Sequence, residues 1–279
     1  MTIAAVETGH YRIPLPVVLS DSTHGDIAHF DLVTARVRTA DGGGGRRLHL
    51  HGRRRAPRPS GRSSATSCRS SLGQDAERIE ALWQRMWWGC HYVGRGGLAA
   101  FAIAAADIAL WDLRARRRGL PLWKLLGGHQ PRVKAYAGGI DLQFPLDAAA
   151  PPDRREPRPG LPRDQDEGRP PASPRGRASA SARCGRHLGP DVPLMVDANM
   201  RWTADEAIRA ARALAAHDVF WLEEPTIPDD VPGTSGSSAR AALPVAAGEN
   251  LRTIHEFKRL IDAGGRHVPR ARRLERRAA

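Results

Sequence analysis

Val196-Asp197-Ala198-Asn199, Trp221-Leu222-Glu223-Glu224-Pro225 and Ala247-Gly248-Glu249-Asn250 are three short stretches in which an apolar run ends on an acid. Each reads as a buried strand (Pro193–Asn199, Val219–Pro225, Leu243–Asn250) whose last residues turn polar. Asp197, Glu223 and Glu249 are spaced by 26 and 26 residues. That interval holds one strand, one helix and their loops, and the amphipathic Thr203–His217 segment supplies a helix between the first two. Strands alternating with helices predict a parallel α/β unit, here a barrel, with successive carboxylates brought to one mouth. Three carboxylates facing one point repel each other unless a cation sits between them. A hard, oxygen-preferring ion such as Mg²⁺ suits that donor set. Alternatively, any one of these acids could simply cap the helix that follows it.

Upstream, Thr2–Leu15 and Phe30–Thr39 predict two strands, the second ending at an Asp41-Gly42 turn, with Leu19–Gly25 as a polar loop between them. Asp75–Trp88 predicts a helix with Ile79, Leu82, Trp83 and Met86 toward one face. Leu98–Arg118 predicts a longer one, apolar until a basic last turn that suits the negative end of the helix dipole, and stopped by Gly119. Val133–Asp141 is a further short strand. The richest apolar stretch, Leu98–Leu113, is crossed by Asp107 and Asp112, so no transmembrane span is expected. The first twenty residues lack a basic start followed by an apolar block. Cys68, Cys90 and Cys184 form no C-x-x-C pair, which argues against a zinc site or a disulfide framework. A cytoplasmic chain is the expectation.

The formal net charge of +13 is unevenly placed. Of 43 basic residues only Lys124, Lys134 and Lys258 are lysines. Residues 43–70 carry eight Arg and no acid, 151–187 nine Arg and five acids, and 266–279 six Arg and one acid. These three stretches alone exceed the whole-chain surplus, so the remainder is net acidic. They are rich in Gly, Pro, Ser or Ala and show neither strand nor helix periodicity.

Taken together, Val196-Asp197-Ala198-Asn199, Trp221–Pro225, Gly248-Glu249-Asn250, the helix around Ala105–Asp112 and Pro121-Leu-Trp-Lys-Leu-Leu-Gly-Gly128 resemble the mandelate racemase/muconate lactonizing enzyme family of the enolase superfamily. The likeness covers roughly 1–42, 73–150, 188–230 and 243–264. It implies an α+β capping domain over 1–125, with 43–70 anomalous, and an incomplete (β/α) TIM-type barrel over 126–279, with 151–187 and 266–279 anomalous. It further implies that Asp197, Glu223 and Glu249 bind Mg²⁺, and that the ion stabilises the anion formed when a base removes the proton α to a carboxylate. The reaction would be an acid-sugar dehydration (a lyase) or a 2-hydroxy-acid racemisation (an isomerase), on a small carboxylate substrate, in a homo-oligomer. The lid loop near Ser20–Gly25 would close over the substrate, bringing Ser22, Thr23 and His24 near it.

The family's Lys-x-Lys is missing: about thirty residues before the first ligand stands Arg163-Asp-Gln-Asp-Glu-Gly-Arg169. The Asp-His pair of the later strands is absent as well, so no catalytic residue is named. A complete barrel takes ~250 residues and the chain offers about 150 after the cap, so a C-terminally truncated barrel of weak or no activity is the expectation. One cause would join these gaps to the arginine excess, namely frameshift. Residues 160–169 can be encoded so that reading one base later gives Gly-Phe-Arg-Ala-Ile-Lys-Met-Lys-Val-Gly. Residues 43–54 would then give Val-Glu-Gly-Val-Gly-Tyr-Thr-Tyr-Thr-Val-Gly-Ala. The tail from Arg266 would give Val-Thr-Phe-Pro-Glu-Pro-Asp-Val-Ser-Asn-Val-Gly.

Asn199 and Asn250 follow the acids and either hydrogen-bond substrate or hold turns. Glu224, adjacent to Glu223, points elsewhere on a strand and is not a ligand. Lys134 opens a strand at the wrong end for chemistry. His217 and His255 read as helix-surface residues, Cys90 as a small buried one, and Trp83, Trp87, Trp88, Trp111 and Trp123 as packing. Arg-rich arms could instead bind nucleic acid. Against this, they lack interleaved aromatics for base stacking and interrupt a fold where strands are required. A catalytically dead remnant is the remaining alternative.

Overall fold

The computed structural model describes residues 1–21, 23–42, 44–51, 70–133, 135–136, 165–167, 192–241, 243–264 and 267–269. Ser22, Lys134 and most of the expected Val133–Asp141 strand lie outside the described residues, as do Cys68, Cys184 and most of the three arginine-rich stretches.

The first half is a three-stranded antiparallel meander with helices against it. Strand β1 (Ile3–Asp21) pairs with β2 (Gly25–Thr39), which pairs with β3 (Gly44–His51). The expected polar loop at 19–25 is much tighter than the sequence suggests: Leu19, Ser20 and Asp21 pair with Ile27, Asp26 and Gly25. Gly25 at φ 66° makes the reversal possible, a conformation open to glycine at no steric cost. Helix α1 (Ile79–Gly89) and helix α2 (Leu98–Arg117) follow, then the short α3 (Leu122–Leu125). Alternate residues of β2 are buried, and Val37 joins Ile3, Ile79, Leu82, Ala109, Leu110 and Leu113 in one core. The alanine-rich face of α2 lets the helix lie close across β2 and β3. The tryptophans divide. Trp87 is buried and stacks on Trp83 at 5.1 Å, whereas Trp88 is 57% exposed, with Arg95 over its ring and His91 tilted 6.2 Å from it. Trp123 is 36% exposed, so among the described residues neither Trp88 nor Trp123 is buried in a core.

The second half is a five-stranded parallel sheet in the order β4-β5-β6-β7-β8. The strands are β4 (Gln165–Glu167), β5 (Met195–Asp197), β6 (Trp221–Glu223), β7 (Val245–Ala247) and β8 (His267–Pro269). Helices α4 (Ala204–Ala215), α5 (Val231–Ala241) and α6 (Ile254–Asp262) connect them in turn. The described strands form an open arc; among the described residues no closed barrel is present. Both sheet faces are covered, as parallel sheets require. Val196, Leu222 and Leu194 pack outward on Ala207, Ala210, Ala211 and Leu214 of α4. Met195, Trp221 and Ala246 pack inward, with Tyr136 edge-on to Trp221 at 5.3 Å. Among the described residues no helix is long and apolar enough to cross a membrane.

Candidate metal centre

Period-two alternation decides which residues reach the inner face. Met195 and Trp221 point inward, so Asp197 and Glu223, two residues on, share that face. They are also direct register partners, Asp197 opposite Glu223. Glu223 is fully buried and Asp197 is 8% exposed. A buried carboxylate is costly unless its charge is met, and hard carboxylate oxygens are donors that a divalent cation favours.

Glu249 breaks the alternation. Ala246 faces inward, and the next residue of the same parity is Gly248, so a continuous strand would aim Glu249 at the helices. Gly248 has φ 124°, a backbone state open essentially to glycine, and it redirects the chain just before Glu249. The other two strands leave through left-handed residues as well: Asn199 (φ 48°) and Met200 (φ 61°) after Asp197, and Glu224 (φ 34°) after Glu223. Non-glycine residues in this region are uncommon, and their gathering at one sheet end marks a place where geometry outranks backbone ease.

Backbone hydrogen bonds hold the three ends in step. Ala198 N–H donates to the Glu223 carbonyl at 3.0 Å, Met200 N–H to that of Glu224 at 2.7 Å, and Glu224 N–H to that of Ala246 at 2.9 Å. Asn199 N–H donates to Asp197 Oδ1 at 2.8 Å and fixes that carboxylate. Arg252 donates to the Glu249 carbonyl at 2.8 Å. Asn250 turns its amide to the Glu224 carboxylate, 3.0 and 2.9 Å from the two oxygens, and to Met200 Sδ at 3.3 Å. Glu224, 5% exposed, is thus a structural carboxylate, and its link to Asn250 ties β6 to β7. That tie was not legible in the sequence, because it depends on the left-handed turn at Glu224. Asn199 Nδ2 is buried and has no hydrogen-bond partner among the described residues.

Thr23, at the hairpin tip, donates from its hydroxyl to the Asn199 carbonyl. His24 is half-buried beside it. Two more contacts join the halves: Trp87 lies 6.5 Å from the His255 ring, and the Arg252 guanidinium sits 4.5 Å over Phe101. His255 therefore lies on the helix surface that faces the cap, while His217 is exposed beyond α4. Cys90 is buried.

The expected donors Asp197, Glu223 and Glu249 end or follow adjacent strands, and carboxylate oxygens are the hard donors Mg²⁺ takes. Among the described residues no three His, Cys, Asp or Glu side chains already form a ligand cluster. The β4 strand brings Gln165, Asp166 and Glu167 into register with Met195, Val196 and Asp197, at the place where a lysine pair was missed.

Residues 3–127 match the family described as mandelate racemase/muconate lactonizing enzyme, N-terminal domain, and residues 167–272 match the enolase C-terminal domain-like family. The chain is 45% identical to a 3,6-anhydro-alpha-L-galactonate cycloisomerase of Streptomyces coelicolor, over 96% of this chain and 74% of that protein. The chain belongs to the mandelate racemase/muconate lactonizing enzyme family. Its fold is accordingly that of the enolase superfamily, a capping domain with a TIM barrel. A solved racemase of Streptomyces coelicolor A3(2), with bound magnesium, is 45% identical and superposes with a TM-score of 0.85, covering 94% of this chain and 73% of that one. L-Talarate dehydratase from Polaromonas sp. JS666, complexed with Mg and L-glucarate, is 30% identical with a TM-score of 0.81, covering 94% and 71%. The chain spans about half the length of several other curated relatives, acid-sugar dehydratases among them. Relatives in this family thus bind magnesium and small carboxylates, and magnesium is the family's cofactor.

Proposed function

We propose that this chain derives from a Mg²⁺-dependent enzyme acting on an acid sugar or a related 2-hydroxy acid, and that as written it is impaired. The observation that supports the reading is the register pairing of Asp197 with Glu223; Glu249 follows the adjacent strand, just past Gly248 at φ 124°. Asp197, Glu223 and Glu249 would hold the ion, which supplies positive charge to the carboxylate of a bound substrate and so lowers the cost of removing the neighbouring proton. Asn199 fixes the Asp197 carboxylate, and its buried Nδ2 is available to a substrate oxygen. Thr23 and His24, on the hairpin tip, would cover the bound acid and exclude water. The same reading assigns 1–125 to the cap and 126–279 to part of the barrel, and expects a cytoplasmic homo-oligomer.

The impairment follows from β4. A general base must carry a titratable group near the pH of the reaction. Gln165 cannot serve, and an acid at 167 next to Asp197 adds like charge to a site that must attract a substrate carboxylate. Dehydration, racemisation and cycloisomerisation all start from the same deprotonation, so the relatives' reactions are alternatives at the second step. The test has two arms. Mg²⁺ is expected to raise the thermal midpoint of the purified chain, and EDTA to reverse the rise; no response overturns the metal site. Incubation in D₂O with a panel of acid sugars is expected to give no α-proton exchange. Robust exchange overturns the impairment.

A further inference from the structure

The three arginine-rich stretches each contribute a strand, and two of these strands, β3 and β4, are poorly matched to their register partners by sequence. In β3, Arg46 is the cross-strand partner of Arg36, and Arg47 that of buried Ala35. Like charges directly opposite destabilise an antiparallel pair. In β4, Asp166 occupies the register of Val196, which is fully buried in the outer apolar layer together with Leu222. Glu167 occupies that of Asp197, acid beside acid. In β8, His267-Val268-Pro269 is in register with the buried Val245-Ala246-Ala247. Backbone topology demands strands where residue chemistry opposes them.

We infer that these three stretches are read one nucleotide out of register, and that a single common offset restores all three strands. The offset can be written down for 160–169. The codons GGG CTT CCG CGC GAT CAA GAT GAA GGT CGG encode Gly-Leu-Pro-Arg-Asp-Gln-Asp-Glu-Gly-Arg as found. Read one base later, they run GGC TTC CGC GCG ATC AAG ATG AAG GTC GG, which is Gly-Phe-Arg-Ala-Ile-Lys-Met-Lys-Val followed by the start of a glycine codon. Position 166 then carries Met at the register of Val196. Positions 165 and 167 carry lysines at the registers of Met195 and Asp197, on the strand positions that share the inner face with the two acids. The same offset in β3 places Val and Gly opposite Arg36 and Ala35 and removes the arginine pair. In β8 it places Thr-Phe-Pro beside Val245-Ala246-Ala247.

The composition has the same origin. Codons built from G and C alone encode only Gly, Ala, Pro and Arg, so a GC-rich gene read out of frame yields those four in excess. Lysine and aromatic codons, which need A or T, are lost. That matches stretches full of arginine in a chain with three lysines. A one-base insertion opens the first two stretches and a one-base deletion closes each; the third only opens, and the chain runs out of frame to residue 279.

Sequencing the gene across codons 43–70, 151–187 and 266–279 tests this independently of any activity. The expected result is that the codons found for 43–54, 160–169 and from 266 onward spell the shifted runs given above, all at the same offset. Synonymous codons that fail to do so in any one of the three overturn it. The metal-site proposal stands or falls separately, on the Mg²⁺ titration.

Discussion

Asp197 and Glu223 are register partners on adjacent strands, so their backbones lie about 4.8 Å apart and their carboxylates repel. Replacing one by its amide removes that repulsion and also a ligand. For Glu223→Gln we therefore expect a midpoint in EDTA equal to or above that of the parent, together with loss of the Mg²⁺-induced rise; differential scanning calorimetry with and without Mg²⁺ reads both. A merely structural Glu223 would instead lower stability in either condition. Met200 offers a second residue-scale prediction. A left-handed non-glycine residue costs roughly 1–2 kcal/mol, while glycine loses about 0.5–1 kcal/mol more in chain entropy. Met200→Gly should therefore leave stability unchanged or raise it by up to about 1.5 kcal/mol in urea titration, whereas a β-branched residue there should destabilise clearly. At this scale the acids were legible because they end apolar runs. Glu224 was legible only as a residue to set aside, since alternation takes no account of a turn at φ 34°.

Helices α4 and α6 begin with the same device at corresponding places. Thr203 and Glu206 form a reciprocal capping box, and Thr253 and Glu256 form another. Each box closes the loop that leaves strand β5 or β7, so it fixes where the helix starts and how the loop is spanned. Thr203→Ala should cost about 1 kcal/mol, measurable as a shifted urea midpoint with unchanged slope. The elements most visible in the sequence were those with strong periodicity, such as α2 and the strand ends. Helix α5 escaped notice because Val231-Pro-Gly-Thr-Ser-Gly-Ser-Ser-Ala-Arg-Ala241 has poor helix formers and no apolar stripe. Tertiary bonds support it instead: Asp230 Oδ1 accepts from Gly233 N–H at 3.0 Å, and Thr226 and Thr234 meet at 2.8 Å. The hairpin tip escaped for the opposite reason, since polar residues read as loop even when the backbone pairs.

For the molecule as a whole, a pI near 11 misrepresents a body that is net acidic outside three stretches. If those stretches are read in their proper frame, most of the arginines disappear from them. A chain translated from the re-framed gene should then focus far below pH 11, which isoelectric focusing of that recombinant protein beside the chain as found would check. Topology was legible at this scale because the 26-residue spacing of acids encodes one βα unit per interval. Strand β4 was not legible, because Gln165-Asp166-Glu167 shows no apolar run or alternation that announces a strand.

Asn199 joins two otherwise separate pieces of machinery. Its amide holds the Asp197 carboxylate, and its carbonyl receives the Thr23 hydroxyl from the hairpin tip. A loop selected to admit a new substrate therefore pulls on the residue that orients a proposed metal ligand. A change at the hairpin tip around Thr23 is therefore felt at the strand end that carries Asp197.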